Sequence, residues 1–203
     1  MTRRLAGPRL LVATHNAGKL AEIRAMLAGY PLDVVSAGEL GLPEPAETEE
    51  SFVGNARIKA HAAAEASGLP ALADDSGIEV DALGGQPGVH TADWAEGPRG
   101  RDFVRAMTRT HDALAATGAP EPWTARFRST LVLAWPDGHD EVFEGRVEGR
   151  CVWPMRGDRG HGYDPMFLPD GHHLTFGEMD PQLKNRISHR AQAFERFVAG
   201  CLA

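Results

Sequence analysis

Apolar and polar positions along this chain change rhythm from segment to segment, and each rhythm predicts an element. Leu10-Leu11-Val12, inside residues 9–14, is a branched apolar run too brief for a helix and predicts a buried strand. Leu20, Ile23, Met26 and Leu27 then recur at helical spacing up to Gly29, and residues 32–35 return as a second strand, completing a β-α-β unit. A long helix is expected over residues 49–67, capped by Thr48 and stopped by Gly68, with Phe52, Ala56, Ala60 and Ala63 as its buried stripe. Asn55 and Lys59 interrupt that side with polar groups. Leu69 and Ala71 to Ala73 predict a short buried strand whose C-terminal lip carries Asp74 and Asp75, with Ser76-Gly77 turning the chain.

Phe103, Met107 and Leu114 place a helix over residues 101–116. Residues 123–135 alternate Phe127, Leu131 and Leu133 against Arg126, Arg128 and Thr130, a half-exposed strand. Pro136-Asp137-Gly138 turns it into a hairpin partner at residues 141–152, a place for a second lobe or a dimer surface. Gly157, Gly160 and Gly162 make residues 156–165 a loop, and residues 166–168 form a short strand. Pro181 opens a short helix carrying Lys184. Ser188 caps the last helix, with Ala191, Phe194, Phe197 and Val198 inward. His189 and Arg190 fall in its first turn, where the helix dipole disfavours a cation, so they point to an anionic or hydrogen-bonding partner.

At 203 residues and 42% hydrophobic, the chain suits one sizeable domain, or two lobes sharing a core, with no linker between independent domains. With 21 Lys+Arg against 28 Asp+Glu the net charge is −7, which argues against nucleic-acid binding by bulk electrostatics. Cys151 and Cys201 have neither CxxC spacing nor a disulfide-framework count, and no stretch is long enough to span a membrane. A cytoplasmic protein is expected.

Two segments carry candidate chemistry. The turn Thr14-His15-Asn16-Ala17-Gly18-Lys19 joins strand to helix, and free N–H groups at a helix start suit phosphate, with Lys19 adding a full charge. It lacks the GxxxxGK[ST] pattern, and Thr14 as a plain helix cap beside a solvated Lys19 is the competing reading. In Asp74-Asp75 a strand's alternation makes one carboxylate the worker and its neighbour a helper, unless the pair only closes a hairpin turn. His111-Asp112 and His172-His173 lack a supporting cluster for metal binding.

Thr14-x-Asn16-x-x-Lys19, Ser51-Phe52-x-x-Asn55-Ala56-x-x-Lys59-Ala60, Ala73-Asp74-Asp75-Ser76-Gly77, Gly162-Tyr163-Asp164-Pro165 and Ser188-His189-Arg190 occur in the order and approximate spacing of the inosine/xanthosine triphosphate pyrophosphatase family, which the chain resembles from about residue 9 to 198. The resemblance implies an α/β fold: an elongated mixed β-sheet flanked by helices, in two lobes with the active-site cleft between them. It implies hydrolysis of ITP, dITP and XTP to the monophosphate and pyrophosphate, with Mg²⁺ as cofactor and a homodimer as the assembly. Glu47 and Asp75 would ligate the metal, with Asp74 a further ligand and Asp75 the proton acceptor, while Lys19 and Lys59 offset the triphosphate charge. Substrate contacts would come from residues 14–19 (Thr14, His15, Asn16, Ala17, Gly18, Lys19), from Ser76, from His161, Gly162, Tyr163 and Asp164, and from Lys184, His189 and Arg190. His161 departs from the Phe usual in that family before Gly-Tyr-Asp-Pro, and His15 is a smaller departure. A nucleotide sensor on the same scaffold, or a pyrophosphatase for pyrimidine or modified nucleotides, are the alternatives.

Overall fold

A computed structural model describes residues 2–202. It is an α/β protein built on one mixed six-stranded sheet in the order β2-β1-β3-β4-β5-β6. The strands are β1 (Arg9–Val12), β2 (Asp33–Ser36), β3 (Ala71–Val80), β4 (Trp123–Ala134), β5 (Asp140–Cys151) and β6 (Phe167–Pro169), and the main helices are α1 (Ala17–Leu27), α2 (Phe52–Ser67), α3 (Phe103–Thr117), α4 (Pro181–Ile187) and α5 (His189–Phe197). β1 runs parallel to both β2 and β3, so the expected β-α-β unit is present. No helix among the described residues is long and apolar enough to cross a membrane.

The chain forms two compact units. The first takes the chain up to Asp75, Thr130–Glu144 and the segment from Ala193; the second takes Ser76–Ser129 and Gly145–Gln192. Strand alternation organises the first. Leu10, Val12, Leu72, Leu131 and Leu133 share a core with Leu20, Ile23 and Leu27 of α1 and Ala193 and Phe197 of α5. The intervening residues Leu11, Ala71, Ala73, Val132 and Ala134 pack instead with Ala56, Ala60, Ala63 and Ala64 of α2. Alanine meeting alanine lets α2 approach the strands closely, so a long side chain on that helix can reach a strand carboxylate.

The second unit packs α3, through Ala106, Met107 and Leu114, on Ile78, Val80, Trp123, Ala125, Phe127, Phe167 and Phe176. Phe127, Phe167 and Phe176 form an aromatic group with ring centroids 4.6–6.0 Å apart.

Several expectations change. Ser76-Gly77 does not turn the chain: β3 continues unbroken through Asp74-Asp75-Ser76-Gly77 to Val80, which also removes the hairpin reading. The reason is burial on both sides, since Ala71 to Ala73 are fixed in the first unit and Ile78 and Val80 in the second. α1 is capped by Asn16 rather than Thr14, and α2 by Ser51 rather than Thr48, whose place lies outside the helix. In α5 the innermost positions are Ala193 and Phe197, while Ala191 is only partly covered.

Edge strand β6 is seated by a glycine. Gly149 of β5 pairs with Pro169, and a Cβ at that position would meet the Leu168 carbonyl oxygen, Phe167 Cζ at 2.7 Å and Pro169 Cα at 2.9 Å. Backbone atoms cannot step aside as a flexible side chain can. Gly149→Ala is therefore expected to cost about 1–3 kcal/mol and lower Tm by roughly 3–10 °C in a thermal melt; an unchanged Tm would mean β6 does not lie there.

Candidate active site

In the first unit, alternation along β3 sends its two adjacent carboxylates to different helices. Asp74 shares the Leu72 face with α1, and its Oδ2 accepts from Lys19 Nζ at 3.0 Å. Asp75 shares the Ala71 and Ala73 face with α2, and its Oδ1 accepts from Lys59 Nζ at 3.1 Å. The same Lys59 ammonium donates to Glu47 Oε1 at 3.0 Å. Glu47 and Asp75, 28 positions apart in the chain by their numbers, are thus gathered on one cation.

The loop that carries Glu47 is held from α2 as well. Ser51 Oγ accepts the Gly54 N–H at 3.0 Å, and Asn55 Oδ1 accepts the Glu49 N–H at 2.9 Å. Asn55 is 2% exposed. It stands one helical turn before Lys59, so one face of α2 both fixes the acidic loop and supplies its counter-ion. Asn55 was absent from the expected site residues although its polar interruption of an apolar stripe signalled it.

Electrostatics inside this cluster are unbalanced. Burial pulls the Lys59 pKa down, but Asp75 and Glu47 outweigh it and hold it above the ordinary value. Burial pushes the Asp75 carboxyl up to about 6; Lys59 pulls it down, and Glu47 and Asp74 push it further up. Three carboxylates face two ammonium groups, leaving one net negative charge. Asp75 Oδ2 is buried with no hydrogen-bond partner. An orphaned carboxylate oxygen beside a second carboxylate is the donor set a hard divalent cation takes, since Mg²⁺ uses one or two carboxylates and completes its shell with water and phosphate oxygens. Among the described residues no group of three or more His, Cys, Asp or Glu side chains forms a ready-made cage. The residues fit an open cation site completed by substrate.

The expected phosphate turn is partly occupied by its own side chains. Thr14 Oγ1 accepts the Asn16 N–H at 3.1 Å, and Asn16 Oδ1 accepts the N–H groups of Gly18 and Lys19 at 2.9 and 3.1 Å. Those amides are satisfied within the turn, which corrects the picture of a row of free donors; Thr14 and Asn16 shape the turn. His15 turns its ring to the Leu42 carbonyl.

A separate group lies in the second unit. Asp164, 3% exposed, accepts the His161 N–H at 2.6 Å and pairs with the Lys184 ammonium through the same Oδ2. Its carboxylate ties the loop to Lys184. Tyr163 is 1% exposed, with its ring edge-on to Phe103 and its hydroxyl accepting from Thr110; burial first of all pushes its pKa up to about 12. Its side chain belongs to the core. His161 is exposed at the loop tip and Gly162 adopts φ +64°, a backbone that favours glycine. His189 is buried and stacked on Phe127 with centroids 4.8 Å apart and planes 12° from parallel. Arg190 reaches Ser76 Oγ at 3.5 Å, bringing two expected contacts together. His111, set aside as a metal ligand, stacks on Trp153 at 4.3 Å.

Similarity to known proteins extends over nearly the whole chain. The family model described as the Ham1 family matches residues 10–200. A dITP/XTP pyrophosphatase of Ruegeria pomeroyi is 65% identical over 201 residues, covering 99% of this chain and 98% of that protein. A dITP/XTP pyrophosphatase of Rhodopseudomonas palustris is 54% identical over 212 residues, covering all of both chains. The solved structure of a HAM1 protein from Coxiella burnetii superposes with a TM-score of 0.89 at 35% identity, covering 95% of this chain and 98% of that one. With the family model spanning the sheet, both carboxylate–lysine pairs and the loop braced by Asp164, the chain belongs to the Ham1 family.

Proposed function

We propose that this protein hydrolyses non-canonical purine nucleoside triphosphates, dITP, XTP and ITP, to the monophosphate and pyrophosphate. The observation that carries the reading is the pairing of Glu47 and Asp75 on one lysine, with a buried carboxylate oxygen left over. The curated relatives with 65% and 54% identity, each named for dITP and XTP, support it.

Each residue then has a task. Lys19 and Lys59 give the polyphosphate the positive charge that an acidic protein otherwise lacks. Asp75 and Glu47, with Asp74 beside them, would hold Mg²⁺, which supplies charge neutralisation and acidifies a water when bound. Asp75 is the proton acceptor: with its carboxyl at about 6 it is ionised at neutral pH and closer in basicity to a water proton than an ordinary aspartate. In the second unit, His189 and Arg190 offer donors suited to the 6-oxo group of hypoxanthine or xanthine. Adenine presents an amino donor there, which leaves donor facing donor. The flat stack of His189 on Phe127 fixes the plane in which its donor lies.

A nucleotide panel with Mg²⁺ and separate pyrophosphate and orthophosphate readouts tests the reading. dITP, XTP and ITP should release one pyrophosphate per monophosphate formed, and dATP far less. Orthophosphate as the product from dITP would overturn it.

Asp75→Asn yields a second prediction, with opposite effects on turnover and stability. Turnover of dITP should fall by about 10²–10⁴ while nucleotide binding persists, because the general base is gone and the lysines remain. In the folded chain Asp75 binds its proton more tightly than at the ordinary 3.8, so ionising it destabilises the metal-free fold. That cost is absent below about pH 4 and complete above about pH 6. Thermal melts of the metal-free proteins should therefore show Asp75→Asn more stable than the parent at pH 7.5, with the difference closing towards pH 4. A variant that is less stable at pH 7.5 would mean that the carboxylate is well compensated without a cation.

A further inference from the structure

The acidic loop has another tether, at its N-terminal end. His15 Nε2 lies 2.7 Å from the Leu42 carbonyl oxygen; a carbonyl only accepts, so Nε2 carries the hydrogen. The ring sits beside Gly38, where an added Cβ would fall 3.6 Å from His15 Cα and 3.8 Å from its Cδ2. Nδ1 faces Glu44 at 4.0 Å. Leu42 is held a second time by its own N–H, which donates to the Ala37 carbonyl at 2.9 Å.

From Leu42 the chain continues Pro43-Glu44-Pro45-Ala46-Glu47, with no helix or strand of its own. Each proline fixes φ and keeps the residue before it extended, so this span is short and stiff. Moving one end moves the other. The far end is the carboxylate on Lys59, followed by the Glu49 amide on Asn55. His15 holds the near end and α2 the far end of the same strut.

We propose that His15 is a positioning residue: its imidazole braces the acidic loop at Leu42, keeps Glu47 beside Lys59 and Asp75, and thereby sets the protein's affinity for a divalent cation. The proposal rests on the reading of Glu47 and Asp75 as cation ligands. It gives the His15 side chain a task within the phosphate turn other than contact with phosphate. A ring that only covers surface would affect neither the loop nor the cation, and one that touched the nucleotide would act on KM.

Five proteins decide it: the parent, His15→Ala, Glu47→Gln, the double variant and the conservative rescue His15→Gln. Mn²⁺ binding is followed by the electron-spin signal of the free ion, and amide exchange is followed over residues 44–49. His15→Ala should weaken Mn²⁺ binding about tenfold, the size typical of losing a group that orients a ligand, and should speed exchange in that segment. KM for dITP at saturating Mg²⁺ should change less than about twofold, since binding of the polyphosphate by Lys19 and Lys59 is untouched. His15→Gln, which keeps an N–H donor, should recover most of the loss. In the Glu47→Gln background His15→Ala should add nothing, because residues acting through one group are not additive. The proposal is overturned if exchange and Mn²⁺ affinity are unchanged in His15→Ala, or if the loss is as large with Gln at 47. Should Glu47→Gln itself bind Mn²⁺ as tightly as the parent while His15→Ala still frees the loop, the ligand assignment fails and the brace stands without its consequence for the cation.

Discussion

The Lys59 ammonium, buried and shared between Glu47 and Asp75, is the contact on which the candidate site depends. Burial disfavours the charged forms of both Lys59 and Asp75, and each offsets part of that cost for the other. The balance is incomplete by design of the sequence: Asp75 remains hard to ionise, and one of its oxygens has no partner. A fold that buries a carboxylate without fully compensating it stores a preference for a cation. Removing Lys59 would leave the buried Asp75 carboxylate without a counter-ion, which is far more costly than never having had the pair.

The approach of Lys59 follows from residues with almost no side chain. Ala56, Ala60, Ala63 and Ala64 of α2 lie on Ala71, Ala73 and Ala134 of the sheet. Larger residues there would lift the helix and carry the ammonium away from β3. Alternation does the rest, handing Asp74 to α1 and Asp75 to α2 from consecutive positions. A two-residue acidic motif thus serves two cations on opposite faces of one strand.

Much of this was legible in the sequence where the period was strong. The alanine stripe of α2, its stop at Gly68, the β-α-β start and the β4–β5 hairpin are local patterns, and the structure has them. The continuation of β3 through Asp-Asp-Ser-Gly was not legible, because those residues favour turns locally and only burial at both ends keeps them extended. The caps failed for a related reason: several residues at each helix start could accept the first amides, and tertiary contacts chose Asn16 and Ser51. Among the site residues, the motifs singled out Lys19, Lys59, Asp74 and Asp75, which the structure joins in ion pairs. They could not show which side chains face inward, as Tyr163 does, or which pair internally, as Asp164 does with Lys184. Asn55 stood out as a polar interruption of the α2 stripe, but its Glu49 partner and the His15 to Leu42 contact did not, because each depends on where a loop backbone passes.

The central claim is that Glu47 and Asp75 converge to hold one divalent cation. The most direct measurement is a crystal structure of the full chain with Mn²⁺ and a dITP analogue that cannot be cleaved between its α and β phosphates, with the cation located by anomalous scattering. The account predicts a peak coordinated by both Glu47 and Asp75. A peak held by neither, or a bound analogue with Lys59 still bridging the two carboxylates and no cation beside them, would contradict it.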